Sequence, residues 1–250
     1  MKTHAIRQSP TDFIKFLFPA RFQNYPLYAL FLFLILLSGC KSETLLQADF
    51  EGNTINQPPQ QAQKVGSVQT DGPAGSVKVV GPPPTLTGKW VQVSRPKGQI
   101  AVSALQGKLK EFRGNGIYDF TAFLYIPDGS EVVTIQFEAF NQPANDPKGF
   151  LHLDFMQDNR VRIDDSESTT FGTFPRNQVF IVKVTLDINA STPKADIVLS
   201  GAGASGEAHR DIISAFRPLA QQFGAVRLWM GFPWTGFFDA TNIVVKRRTE

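Results

Sequence analysis

Apolar and polar residues alternate over long stretches of this chain. Residues 131–140, 150–156 and 179–188 all follow this pattern. In the first two stretches the apolar positions are Val133, Ile135, Phe137, Ala139, Leu151, Leu153 and Phe155. Because period-two alternation is typical of a strand with one buried face, we predict that these residues are buried. The intervening His152 and Asp154 should face away from the core.

Turn-forming residues separate the alternating stretches. Pro127-Asp128-Gly129 predicts a turn, since proline presets φ and glycine accepts positive φ, and Asp158-Asn159 is a candidate hairpin turn. The apolar positions of residues 208–222 instead follow the spacing of an amphipathic helix. The chain therefore predicts an all-β, antiparallel two-sheet sandwich over residues 45–250, with one short helix near 208–222.

A basic segment and an apolar run precede this region. The run Leu27–Leu37 has eleven residues, fewer than the roughly 20 that a membrane-spanning helix needs. Small residues follow at Ser38 and Gly39. This layout is typical of a secretory signal, so we predict a signal peptide at 1–39 and a tether at 40–44.

Leu37-Ser38-Gly39-Cys40 resembles the lipobox of bacterial lipoproteins, which consists of a leucine, two small residues and a cysteine. The resemblance implies that Cys40 is lipidated, that the chain is cut before it, and that lipid chains anchor the protein to a membrane. Lys41 replaces the aspartate that commonly retains such proteins at the inner membrane, which favours an outer-membrane location in the cell envelope. The alternative is an ordinary signal peptide or anchor helix with a chance cysteine.

The charge of the chain comes from its leader. The chain has 25 basic and 22 acidic residues, and residues 1–39 hold four of the basic and one of the acidic ones, which leaves 21 of each. A neutral protein gives no electrostatic case for binding nucleic acid. Only His152 and His209 remain as histidines after the leader, so a histidine-rich metal site is not expected.

Three stretches carry a resemblance to a known fold. Asp49–Gly52, Val179–Ile188 followed by Ala195–Leu199, and Gly236–Val245 resemble strands of a concanavalin A-like (lectin/glucanase, laminin-G-like) jelly roll. The resemblance implies that the first and last strands pair. A galactose-binding-type jelly roll has similar ends.

Polar residues on three successive predicted strands are the main candidate for a binding site. Alternation places each pair on one face, and hairpin neighbours bring the pairs together. The candidate residues are Gln136, Glu138, His152, Asp154, Arg160 and Arg162. Amides, carboxylates, an imidazole and guanidinium groups are suited to binding or cleaving an acidic sugar. The alternative is a solvated sheet face with cross-strand ion pairs.

Aromatic residues close to the C-terminus are a second candidate. Trp229 and Trp234 lie among phenylalanines at 232, 237 and 238. Exposed aromatic rings can stack on sugars, whereas buried rings would fill the core.

A calcium site is a third candidate. Asp49 and Glu51 share one face if the first strand continues through them, and Asp239 lies on the last strand. Oxygen ligands from paired terminal strands would suit Ca²⁺ as a structural ion, and no other cofactor is expected.

Catalytic motifs of related folds are not matched. Glucanases of the jelly-roll class carry Glu-x-Asp-x-x-Glu, and the similar string His152–Gln157 keeps only the central aspartate. Alginate-lyase jelly rolls carry Gln-x-His, and no glutamine lies two residues before His152. We therefore predict non-catalytic glycan binding. The alternatives are a polysaccharide hydrolase or lyase, and a structural or assembly lipoprotein that binds another protein.

Lipidation of Cys40 can be tested by metabolic labelling. We expect radiolabelled palmitate to enter the wild-type protein but not Cys40→Ala, because Cys40 is the only cysteine of the chain. Equal labelling of the two proteins would contradict the prediction.

Overall fold

Fifteen β-strands run through the part of the chain that the computed structural model describes, which is residues 41–141, 147–164, 167–189, 193–212 and 221–249. The strands are β1 (Lys41–Ala48), β2 (Ser67–Asp71), β3 (Val77–Val80), β4 (Trp90–Arg95), β5 (Ser103–Arg113), β6 (Ile117–Tyr125), β7 (Val133–Asn141), β8 (Pro147–Phe155), β9 (Arg160–Ile163), β10 (Gly172–Thr173), β11 (Val179–Asp187), β12 (Lys194–Ser200), β13 (Ser205–Asp211), β14 (Gln221–Met230) and β15 (Gly236–Thr249). The predicted leader and Cys40 lie outside the described residues.

The strands form one hydrogen-bonded path that folds into two layers. The first layer has the order β2-β5-β14-β7-β8-β9, and the second has the order β13-β12-β11-β6-β15-β4-β3. The short strand β10 pairs with both β9 and β13 and so joins the layers at one edge. β1 pairs with β15, so the first and last strands are neighbours, as the jelly-roll resemblance implied.

Apolar side chains from both layers meet in a single core. Three ring pairs join the layers directly, namely Phe120 with Phe137 (centroids 5.1 Å apart), Tyr118 with Phe223 (5.3 Å) and Phe155 with Phe180 (5.5 Å). Edge-to-face and tilted pairs of this kind add to the stabilisation from burial. The structure thus confirms the all-β, antiparallel two-layer sandwich.

The alternation on β8 has the predicted register. Leu151, Leu153 and Phe155 are completely buried in the core. His152 is half-buried, and Asp154 accepts a hydrogen bond from Thr134 on the neighbouring strand. Both polar side chains alternate with core residues, so they point away from the space between the layers, as predicted.

The helix predicted near 208–222 is wrong for the residues of this range that the structure describes, because they form strands. Ser205–Asp211 form β13, which pairs with β12 over residues 206–211, and Gln221 and Gln222 begin β14. Exposed and half-buried positions alternate over residues 205–208, and residues 209–211 are all exposed. Pairing with β12 satisfies the backbone of β13 and overrides the apolar spacing that favoured a helix. Residues 213–220 lie outside the described residues.

Helical structure is minimal in the described part of the chain. Glu167–Thr169 form a short 3₁₀ turn. No helix in the described ranges is both long enough and apolar enough to cross a membrane.

Replacing Phe137 tests how much the contacts between the two layers stabilise the fold. Its fully buried ring contacts Phe120 and Phe223, so Phe137→Ala should lower the free energy of unfolding by about 3–5 kcal/mol. The control Ile100→Ala removes a side chain that is 81% exposed and should cost less than about 0.5 kcal/mol. Urea unfolding followed by tryptophan fluorescence measures both, and equal effects would contradict this description of the core.

Candidate functional site

Polar side chains of the first layer share the surface that faces away from the core. We call this surface the outer polar face. It follows from alternation, since the residues between its members are core residues such as Leu105, Ile135 and Leu228. Its members are Gln69, Asp71, Gln106, Lys108, Thr134, Gln136, Glu138, His152, Asp154, Arg160, Arg162, Arg227 and Trp229.

A row of hydrogen-bonding groups crosses the middle of this face. Strand register places five residues side by side, in the order Gln69, Gln106, Arg227, Gln136 and His152. We call them the middle row. Adjacent strands lie about 4.8 Å apart, so the row presents three amides, a guanidinium and an imidazole over about 20 Å.

Trp229 lies in the next row along the strands. The register places it between Ala104 and Thr134, and the row continues to Asp154 and Arg162. The indole is half-buried, and its two direct neighbours are small. The Trp229 ring therefore has short side chains beside it on both neighbouring strands, and it lies next to the middle row.

Glu138 is buried within the outer polar face. The residue is 1% exposed, and its two carboxylate oxygens accept hydrogen bonds from Gln106 (2.5 Å) and Gln136 (3.3 Å). Burial raises the pKa of Glu138, while the bond from Gln106 and the charges of Arg227 and Lys108 act in the opposite direction. Glu138 thus fixes the positions of two middle-row amides.

Arg227 is held from two sides. Its Nη2 lies 2.7 Å from Oδ2 of Asp71, and its guanidinium carbon lies 5.6 Å from the centroid of the Trp229 ring. The ion pair and the cation–π contact both orient the guanidinium. A groove of about 300 Å³ opens beside it, lined by Gln69, Thr70, Asp71, Gln106 and Arg227.

Gly149 leaves space at the other end of the middle row. A Cβ at this position would overlap both the Gln136 amide and the His152 ring. Any larger residue would therefore displace these two side chains.

The structure brings most of the predicted site residues together. Gln136 lies directly opposite His152, and Asp154 lies directly opposite Arg162. Arg160 begins β9 at the β8–β9 hairpin, where its Nε is 2.5 Å from Oδ2 of Asp158. Trp234 is not on the outer polar face, because it lies in the loop that follows β14 and is 40% exposed.

Sequence reasoning missed Gln69, Gln106 and Arg227. Arg227 lies between the core residues Val226 and Leu228, so alternation could have marked it as outward-facing, whereas Gln69 and Gln106 each have a core residue on one side only, Val68 and Leu105. Their position next to Gln136 depends on the pairing of β2, β5, β14 and β7, which are distant in the chain.

The predicted calcium ligands do not form a metal site. No group of three or more His, Cys, Asp or Glu side chains in the described ranges is arranged to hold a metal ion. β1 ends at Ala48, and Phe50 has φ of 61°, so the alternation assumed for Asp49 and Glu51 is broken. Asp239 accepts a hydrogen bond from Gln92 instead.

Comparisons with known proteins agree on the fold. No protein-family model matches the chain, and no curated protein matches it. A solved protein of unknown function from Shewanella oneidensis is similar over 98% of this chain and 96% of its own, with 11% identity and a TM-score of 0.51. An endo-1,3-beta-glucanase from Streptomyces sioyaensis is similar over 84% and 97%, with 12% identity and a TM-score of 0.50. At these identities the likeness shows the fold alone, a jelly-roll β-sandwich.

The buried carboxyl group of Asp239 should make the stability of the folded protein depend on pH. Burial raises its pKa from 3.8 to about 6 against the hydrogen bond from Gln92 and the charge of Lys78. The folded state therefore holds a proton that the unfolded state has lost, and stability falls as pH rises from about 4 to 6. Asp239→Asn should abolish this loss and be more stable at pH 7 by about 2–3 kcal/mol.

Urea unfolding from pH 3.5 to 7.5 measures this effect. The two proteins should differ little at the acid end, where Asp239 is protonated in both states. Parallel stability curves over the whole range would contradict the prediction.

Proposed function

We propose that this chain is a lipid-anchored, non-catalytic glycan-binding β-sandwich of the bacterial cell envelope, located at the outer membrane. The observation that carries the proposal is the middle row beside Trp229. Amide, guanidinium and imidazole groups are donors and acceptors suited to sugar hydroxyls, and an indole ring stacks on the apolar face of a pyranose.

The site is pre-organised for a ligand. Glu138 holds Gln106 and Gln136, and Asp71 and Trp229 hold Arg227. Side chains that are already fixed lose little rotamer freedom on binding. The groove beside Arg227 gives a ligand direct access to the row.

Charge balance favours a neutral glycan. The outer polar face carries four cations, Lys108, Arg160, Arg162 and Arg227, and three anions, Asp71, Glu138 and Asp154, and Asp158 at the β8–β9 hairpin supplies a fourth carboxylate. Arg227 pairs with Asp71, and Arg160 pairs with Asp158. Two of the guanidinium groups that could bind an acidic sugar are therefore already paired, so uronic acids are the less favoured ligands.

The positions of the carboxylates favour binding over hydrolysis. Glu138 and Asp154 lie on neighbouring strands in rows four residues apart along β7, and the rows are about 13 Å apart along the strand direction. Glycosidase carboxyl groups lie about 5–9.5 Å apart on either side of the bond that is cleaved. Both carboxylates are also nearly fully buried and already accept hydrogen bonds within the face.

The anchor is supported by sequence alone. The string Leu37-Ser38-Gly39-Cys40 ends an apolar run, and Ser42–Thr249 form one compact unit. Because β1 begins at Lys41, a strand and not the predicted tether of residues 40–44 would follow the lipidated cysteine.

A glycan array tests the proposed function. The full chain in detergent micelles should bind at least one neutral polysaccharide and release no reducing or unsaturated ends. Trp229→Ala and Gln136→Ala should each weaken binding about tenfold, because each removes one stacking or hydrogen-bonding contact.

The control for these variants is Lys183→Ala. Lys183 lies on β11 in the second layer, away from the outer polar face. Turnover that is lost in Glu138→Gln would establish an enzyme instead. Binding to no glycan would overturn the proposal in favour of the assembly-lipoprotein alternative.

A further inference from the structure

Exposed apolar side chains collect in the loops between β4 and β5 and between β14 and β15. Ile100 lies in the first loop, and Phe232 and Trp234 lie in the second, with Phe232 67% exposed. In the described ranges only two other large apolar side chains are exposed, Ile55 and Leu86. Clustered exposed apolar residues are typical of an interaction surface.

One buried arginine fixes both loops. Arg95, at the end of β4, is 1% exposed. Its Nε donates to the Ala101 carbonyl (3.1 Å) and its Nη1 to the Trp234 carbonyl (2.5 Å), while Nη2 donates to the Gln99 carbonyl. Its guanidinium carbon also lies 5.4 Å from the centroid of the Phe232 ring.

The β6–β7 connection fixes the second loop from the other side. The Glu131 N–H donates to the Thr235 carbonyl (2.9 Å), and the Thr235 N–H donates to the Glu131 carboxylate. Ser130 Oγ donates to the Phe237 carbonyl (2.6 Å). The exposed rings are therefore carried on loops whose backbone is already ordered, which lowers the entropy cost of binding.

A groove of about 340 Å³ lies between the two loops. We call it the loop groove, and its lining residues are Arg95, Lys97, Gly98, Gln99, Glu131, Phe232, Pro233 and Thr235. An aromatic ring, a cation, an amide and a carboxylate meet in this volume. The size is at the lower end for a small-molecule site, and the polar groups suit hydroxyl groups.

The loop groove lies just beyond the end of β14, the strand that carries Arg227 and Trp229. Phe232 follows Trp229 by three residues, so their Cα atoms are at most about 11 Å apart. Gly231 lies against the Trp229 indole, since a Cβ at this position would overlap the ring. A chain that crosses the middle row at Arg227 and runs past Trp229 along the direction of β14 would therefore reach Phe232.

We propose that the loop groove is a second sugar subsite, which takes the part of a neutral glycan that extends beyond Trp229. Phe232 in the groove and the exposed Trp234, two residues further along the same loop, stack on sugar rings. Lys97, Gln99 and Glu131 bind hydroxyl groups. This inference rests on the proposed function. It specifies the ligand class as an extended polysaccharide chain and excludes a monosaccharide as the preferred ligand.

A chain-length series tests the subsite. The probes are β-glucan, galactan, mannan and xylan oligosaccharides, from disaccharide to octasaccharide. Isothermal titration calorimetry with the full chain in detergent micelles should show affinity that rises with length. The double variant Phe232→Ala/Trp234→Ala should bind the octasaccharide about tenfold more weakly and the shortest bound probe as tightly as wild type.

Leu86→Ala is the matched control, because Leu86 is as exposed as Trp234 but lies in another loop. Trp229→Ala should weaken every length, since it removes the ring on the outer polar face. If the double variant matches wild type at all lengths while Trp229→Ala weakens them, the loop groove is not a subsite and glycan binding stands. If wild type binds none of the probes and no polysaccharide on the array, both proposals are wrong.

Discussion

The antiparallel register of β5, β14, β7 and β8 is the constraint on which the rest of the molecule depends. Phe137 can meet Phe120 and Phe223 in the core only if Gln136 points the other way, toward His152. A slip of one residue in any of these strands would exchange the two sets of side chains. The packing of the core therefore determines which polar groups become neighbours on the outer polar face.

The register of the strands also explains which neighbours on the outer polar face could be predicted from the sequence and which could not. Alternation on β7, β8 and β9 is local, so the facing pairs Gln136–His152 and Asp154–Arg162 followed from short hairpins. Arg227 joins them only because β14 lies between β5 and β7. Such a pairing connects distant parts of the chain and leaves no local signal.

The errors have local physical causes. Residues 208–211 are predicted as helix because their apolar spacing takes no account of a partner strand, and β12 supplies that partner. The calcium site assumed that β1 continues in extended form to Glu51, whereas the left-handed conformation of Phe50 turns the chain. Burial alone does not show whether a side chain belongs to the core or to the outer polar face. Glu138 and Asp154 belong to the outer polar face but are as inaccessible to solvent as core residues.

Arg95, which orders the two loops, should hold them together in both acidic and neutral solution. Arg95 donates only to backbone carbonyls among the contacts described for it, and neither a guanidinium nor a carbonyl changes its charge between acidic and neutral solution. Asp239 and Glu138 lie in regions where charge does change. Acidification should therefore alter the electrostatics of the outward faces of both layers while this tie between the loops keeps its shape.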